Sequence, residues 1–158
     1  MAQKRPRLNS RLEATGAEHL VLGHLLIEGI QSFIAPVGQR DYDIIATNPE
    51  ANTSCRVQVK SRWATDANLH FFISTFETDI VVLVRLNRGV RYRKAKPGDE
   101  GTRDPDFFVL PVGVVKDFVH VGKTSSSLRL REVPDYEGYV DRWDLVHSFL
   151  AAQTDGAS

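Results

Sequence analysis

The sequence predicts an α/β (α+β) protein, a mixed central sheet flanked by helices, and three observations carry that reading. An opening stretch places Ala17, Leu20, Val21, His24 and Leu25 at helical spacing. A later stretch, Cys55-Arg-Val-Gln-Val-Lys60, alternates with period two, as a strand does. The β-branched run Asp79-Ile-Val-Val-Leu-Val-Arg-Leu86 reads as a central strand buried on both faces, which calls for a layer on either side of the sheet.

Each element follows in order. The first helix has two capping boxes, Ser10-x-x-Glu13 and Thr15-x-x-Glu18, so its start is open, while Gly29 suits the C′ position that ends it. Gln31–Pro36 is apolar, extended and closed by proline. Gly38–Ala46 turns and then enters a strand, and Asn48–Asn52 is a turn, giving a hairpin or meander after the helix. Beyond the central strand, 87–105 is a long polar loop. Phe107–Pro111 is a further strand, Val112–Val119 a short helix, and Tyr136–Ala151 a final helix with Tyr139, Val140, Trp143, Val146, His147 and Leu150 on one face. Phe71, Phe72 and Phe76 are expected in the core, and Trp63 is expected to pack. The chain contains no internal repeat.

The 158 residues fit one domain, expected over 10–152, between a basic disordered arm at 1–9 and a disordered tail at 153–158. Its 42% hydrophobic and 25% charged residues are ordinary for a globular protein. Cys55 is the only cysteine, which excludes an intrachain disulfide and a thiolate zinc cluster and points to a reducing, cytoplasmic setting. No apolar run approaches the ~18–20 residues of a membrane span, so no membrane partner is expected. The charged N-terminus lacks the apolar run of a secretory signal. The zero net charge argues against coating nucleic acid by bulk charge. It is unevenly spread, however: residues 1–96 hold 14 Lys and Arg against 9 Asp and Glu, and 97–158 hold 6 against 11.

Strand alternation turns Gln58 and Lys60 one way and Val57 and Val59 toward the core. Asp41 and Asp43 share a face opposite Tyr42 and Ile44. Pairing the two strands brings Asp43 beside Gln58 and Lys60, and the helix ahead of them can add Glu18. Phosphodiester hydrolysis asks for such a set: hard oxygen ligands for Mg²⁺ and an ammonium group near the developing negative charge. Each residue also has a plainer reading. Glu18 can cap the helix through Thr15, Asp41 and Asp43 can be turn residues after Gly38, and Gln58 and Lys60 can form the wet face of a strand. Arg85, Arg88, Arg91, Arg93, Lys94 and Lys96 surround Tyr92 without an acid among them, reading either as a phosphate-tracking loop or as a solvated one. Arg62 follows the strand of Lys60 and joins the candidate nucleic-acid contacts. Lys4, Arg5, Arg7 and Arg11 read as a second phosphate contact or a plain tail. The five histidines show no zinc spacing.

Ala17-Glu18 on a helix, Asp41-Tyr-Asp43-Ile-Ile-Ala46 and Gln58-Val-Lys60-Ser61, in that order, resemble the PD-(D/E)XK nuclease superfamily of restriction endonucleases and Holliday-junction resolvases. The resemblance covers residues 14–62 well and 79–111 loosely. It implies a restriction-endonuclease-like fold and DNA cleavage with Mg²⁺ or Mn²⁺. It further implies Glu18, Asp43, Gln58 and the Val59 carbonyl as metal ligands, and Lys60 as the catalytic lysine. A homodimer is implied as well, with the helix bearing Tyr139 and Trp143 as candidate interface. The family's acid before x-Lys is Gln58 here, so this chain resembles its Gln-x-Lys branch. That amide brings no charge and weakens the implied metal affinity; Asp41 is a candidate third carboxylate. Two other classes stay open: a nuclease-like domain that binds DNA without cutting it, and a partner-binding structural domain.

Overall fold

The computed structural model describes residues 9–153, so the expected arm and tail, apart from Asn9 and Gln153, lie outside the described residues. Gln153 itself is held, exchanging hydrogen bonds with the Ser54 backbone.

Helix α1 spans Ser10–Ile27, and its N-cap is Asn9, whose side chain accepts from Arg11 N–H at 3.0 Å. Ser10 and Thr15 therefore lie inside the helix. Glu18 sits mid-helix and caps nothing, which overturns the capping reading. The C-terminal expectation holds. Gly29 has φ +77, Ile30 N–H donates to Leu25 C=O, and Gly29 N–H donates to Leu26 C=O, the paired bonds of a Schellman motif.

In chain order, β1 (Gln31–Ile34), β2 (Ile44–Asn48) and β3 (Thr53–Arg62) are followed by β4 (His70–Phe72), β5 (Ile80–Arg85) and β6 (Asp106–Pro111). Helix α2 (Val112–Phe118), β7 (His120–Val121), β8 (Ser126–Arg129) and α3 (Asp144–Ala152) complete the described chain. The main sheet has the order β1-β2-β3-β5-β6. The first three strands form an antiparallel meander, β5 runs parallel to β3, and β6 is antiparallel to β5. A smaller sheet, β4-β8-β7, was not anticipated.

The sheet has a core on each face. Val57 and Val59 of β3 and Val82 and Val84 of β5 pack with Ala17, Val21 and Leu25 of α1 and with Val146 and Leu150 of α3. Val81, Leu83, Phe108 and Leu110 pack on the opposite face with Val115 of α2 and with Phe71 and Leu128 of the small sheet. The uninterrupted β-branched run of β5 is thus buried on both sides, as predicted.

Two expectations fail here for local reasons. The helix expected over 136–151 is broken. Tyr136–Tyr139 is one 3-10 turn, Asp135 and Asp141 both take left-handed backbone (φ 53 and 52), and α3 begins only at Asp144. Tyr139 and Trp143 therefore share no helix face. Trp143 is 4% exposed, stacked on His24 at 5.3 Å and set against Phe107 at 5.6 Å, so it offers no surface to a second copy. Phe72 is exposed while Phe71 is buried, since neighbours on β4 face opposite ways. No described helix is long and apolar enough to cross a membrane.

Candidate active site

The ladder between β2 and β3 closes at Ile44 opposite Val57. Asp43 stands just before it. Its N–H donates to Val57 C=O at 2.9 Å, and its C=O accepts from Ala35 N–H at 2.8 Å. The next ladder bond is made by a side chain. Asp43 Oδ2 accepts from Val59 N–H at 2.7 Å, in place of a backbone carbonyl. The carboxylate is thereby fixed in the gap where the two strands part. Arg62 C=O points to β5, where Leu86 N–H donates to it. Alternation turns the polar backbone groups of Val57 and Val59 the other way, so the Val59 carbonyl opens on the same gap as Asp43.

Gln58 is the neighbour of Asp43 across this gap and is 2% exposed. Burial of Gln58 overturns the wet-face reading at that position. Its Nε2 donates to Thr75 Oγ1 at 3.1 Å and to Asp41 C=O at 3.4 Å. Its Oε1 is buried and accepts no hydrogen bond. The Asp41 carbonyl fixes this orientation, since a flipped amide would set two oxygens against each other. The Asp41 carboxylate turns away to Gln39 Nε2 at 3.5 Å.

Glu18 reaches the gap from α1, half-buried. Ser61 Oγ donates to Glu13 Oε1 at 3.1 Å, fastening the first turn of α1 to β3. Burial pushes the Glu18 carboxyl above its ordinary range and the Asp43 charge adds to this, while His19 and Lys60 pull it back. Burial likewise pushes Asp43 up, against the Val59 N–H bond and the Lys60 charge. Two carboxylates and one ammonium thus share one electrostatic field, and negative charge is in excess. Among the described residues no group of three or more His, Cys, Asp or Glu side chains gathers; the acids of this gap are Glu18 and Asp43.

The basic loop docks on the segment that follows β3. Arg88 N–H donates to Trp63 C=O at 2.9 Å. The Asp66 carboxylate accepts from the backbone N–H groups of Arg91, Tyr92 and Arg93 at 3.0, 2.9 and 2.8 Å. Burial raises the Asp66 carboxyl, but these amides outweigh it and hold the group below the usual range. The side chains of Arg91, Tyr92, Lys94 and Lys96 stay exposed, with the Arg91 guanidinium 5.9 Å from the Tyr92 ring centre. Arg85 belongs to β5 rather than to this loop. It lies opposite both Arg62 on β3 and Asp106 on β6, and it pairs with Asp106 at 2.8 Å. Sequence reasoning missed Thr75 and Asp66. Asp66 leaves no side-chain signal because it binds main-chain amides. The Arg85–Asp106 pair was visible in principle as opposite charges at facing strand ends.

No protein-family profile and no curated protein matches the chain. Among solved structures, it is similar to the bacterial homing endonuclease I-Ssp6803I at 21% identity, over 96% of this chain and 100% of that one, with a TM-score of 0.60. A second similar structure is the Holliday junction resolvase Hjc of Archaeoglobus fulgidus, at 18% identity over 77% of this chain and 88% of that one, with a TM-score of 0.47, too loose an overlap to support a fold assignment. At such identities the likeness to the homing endonuclease is one of fold. The five-stranded mixed sheet flanked by helices is the restriction-endonuclease-like fold, shared with that homing endonuclease.

Proposed function

We propose that this chain is a Mg²⁺- or Mn²⁺-dependent endonuclease that hydrolyses DNA phosphodiester bonds, with Glu18, Asp43, Gln58 and Lys60 as its catalytic set. The observation that carries the reading is the gap between β2 and β3. Two up-shifted carboxylates face it, and a buried amide oxygen without a donor stands beside them. A buried acceptor left unbonded costs about 1–3 kcal/mol, and a hard cation would relieve it together with the excess negative charge. The residues therefore fit a divalent ion, with Glu18, Asp43, the Gln58 Oε1 and the Val59 carbonyl to hold it. When bound, such an ion supplies Lewis-acid polarisation of the phosphate and acidifies a water.

The chain's own groups do the rest. Lys60, half-buried in the same field, offsets charge developing on the phosphate oxygens and orients the attacking water. Asp43 is held rigid by the Val59 N–H, and Gln58 by Thr75, so little reorganisation is needed as charge builds. Arg62, Arg88, Arg91, Arg93, Lys94 and Lys96 grip the backbone of the DNA. The fold it shares with a protein described as a homing endonuclease supports this class of chemistry. A homodimer belongs to the same reading, since two strands call for two sites.

The uncharged Gln58 favours one alternative, a domain that binds DNA without cutting it. Incubation with duplex and branched DNA in Mg²⁺ or Mn²⁺, beside Lys60→Ala, separates the two. Cleavage by the parent chain is expected, with a loss of about 10²–10⁴-fold in Lys60→Ala. Cleavage that survives Lys60→Ala removes the enzymatic assignment, and binding without any cleavage installs the alternative.

A further inference from the structure

At the C-terminal ends of β3 and β5 the surface opens into a cleft of about 570 Å³, walled by Arg85, Arg93, Arg103 and Arg131 around Thr65 and Asp66. Four guanidiniums line it, and the two carboxylates that pair with them, Asp66 in the lining and Asp106 behind Arg85, are already engaged. Asp66 is taken up by three backbone N–H groups, with Arg93 Nε a further 3.8 Å away. Asp106 Oδ2 accepts from Arg85 Nε at 2.9 Å, from Asn87 Nδ2 at 3.0 Å and from Arg103 at 3.4 Å. Four cations against two anions leave the cleft with two positive charges. Arg85 is held still by Asp106, whereas Arg93 and Arg103 are 77% and 54% exposed and reach solvent.

The position of the cleft gives it meaning. Lys60 lies opposite Leu83, and Arg85 is two residues further along β5 on the same face. That is one pleat repeat, about 7 Å beyond Lys60. A guanidinium fork matches the oxygens of a phosphodiester, and several converging on one cleft favour a phosphate over a neutral ligand. We infer that this arginine cleft binds a backbone phosphate of the DNA next along the strand from the one at Lys60, and so fixes the register of the substrate on the site. The inference rests on the nuclease reading and adds Arg85, Arg103 and Arg131 to the residues that meet DNA.

The test is fluorescence anisotropy of a labelled duplex, without divalent metal, over a series of salt concentrations. The parent chain is compared with Arg103→Ala/Arg131→Ala, with Arg131→Lys and with Lys123→Ala, a lysine on an exposed loop outside the cleft. One lost phosphate contact lowers the slope of log K against log salt by about 0.9, with affinity at low salt falling about tenfold in the double variant. Arg131→Lys keeps the slope because the charge remains, and Lys123→Ala matches the parent. In cleavage assays the double variant raises KM and leaves kcat within about threefold. Both truncated side chains are solvent-facing, and an unchanged melting temperature shows that the fold is retained. A double variant that binds with the parent's slope and affinity overturns the cleft assignment, while cleavage by the parent keeps the nuclease reading intact. A parent chain that neither binds nor cuts DNA brings down both.

Discussion

Two pairs of carboxylates in this protein face opposite circumstances. Asp66 and Asp106 are saturated with donors, three main-chain amides for one and two arginines with an asparagine for the other. Burial would raise both, yet these partners hold them below the usual carboxylate range. Glu18 and Asp43 are pushed up by burial, and a single backbone N–H and the shared Lys60 do not reverse it. The first pair is finished: its charge is spent on holding a loop and the end of a strand pair. The second pair is unfinished, and the unbonded Gln58 Oε1 lies beside it. Charged groups shifted by burial cluster at functional sites, and under the proposed reading a cation completes this pair.

The same substitution at one member of each pair sharpens the contrast. Asp43→Asn keeps an acceptor for the Val59 N–H but removes the charge. Cleavage is expected to fall at least about 10²-fold, read from initial rates on duplex DNA; undiminished rates would detach Asp43 from the chemistry. Asp106→Asn leaves Arg85 without its counter-charge. It is expected to cost about 2 kcal/mol in denaturant unfolding, and a silent result would mean that the pair is ornamental.

The smallest effect is on the stability of metal-free Asp43→Asn, and its sign is opposite to that of Asp106→Asn. The Asp43 carboxyl binds its proton more tightly in the folded chain than in the unfolded one. Stability therefore falls as pH rises from the ordinary carboxylate range through the folded value. Asp43→Asn escapes that fall, so its melting temperature exceeds the parent's at neutral pH and converges on it in acid. For Asp106, whose folded value is depressed, the stabilising contribution is present above the ordinary range. It disappears as pH drops through the folded value, where Asp106→Asn and parent converge from the other side. Melting curves across pH in the presence of a chelator read both.

The legible parts of the fold are those where residue type and period agree. The run in β5 had to be doubly buried, the meander followed from Pro36, Gly38 and Asn52, and Gly29 marked the end of α1. The small sheet was illegible because β4, β7 and β8 are two to four residues long, too short to show a period. The final helix was over-read because Tyr139, Val140 and Trp143 mimic a helical stripe, while Asp135 and Asp141 give no sequence sign of adopting left-handed backbone. At the candidate site, alternation was enough to set Asp43 beside Gln58 and Lys60. Burial of Gln58 was not foreseen, because it depends on Thr75 and the second core, elements distant in sequence.

The turn at Pro49–Asn52 joins the two strands that carry the site. Ala51 N–H donates to the Asn48 side chain there, Asn52 N–H donates to Pro49 C=O, and Asn52 adopts φ 54. Strand faces alternate, so slipping this hairpin by a single residue would rotate Asp43 and Gln58 out of alignment and swap lining for core along all of β2. A length change in that remote loop is thus a lesion of the chemistry, although no atom of the loop comes near it. The hairpin loop at 122–125 joins β7 to β8, away from the candidate site, so an insertion there spares cleavage, and the two insertions should differ sharply in that readout.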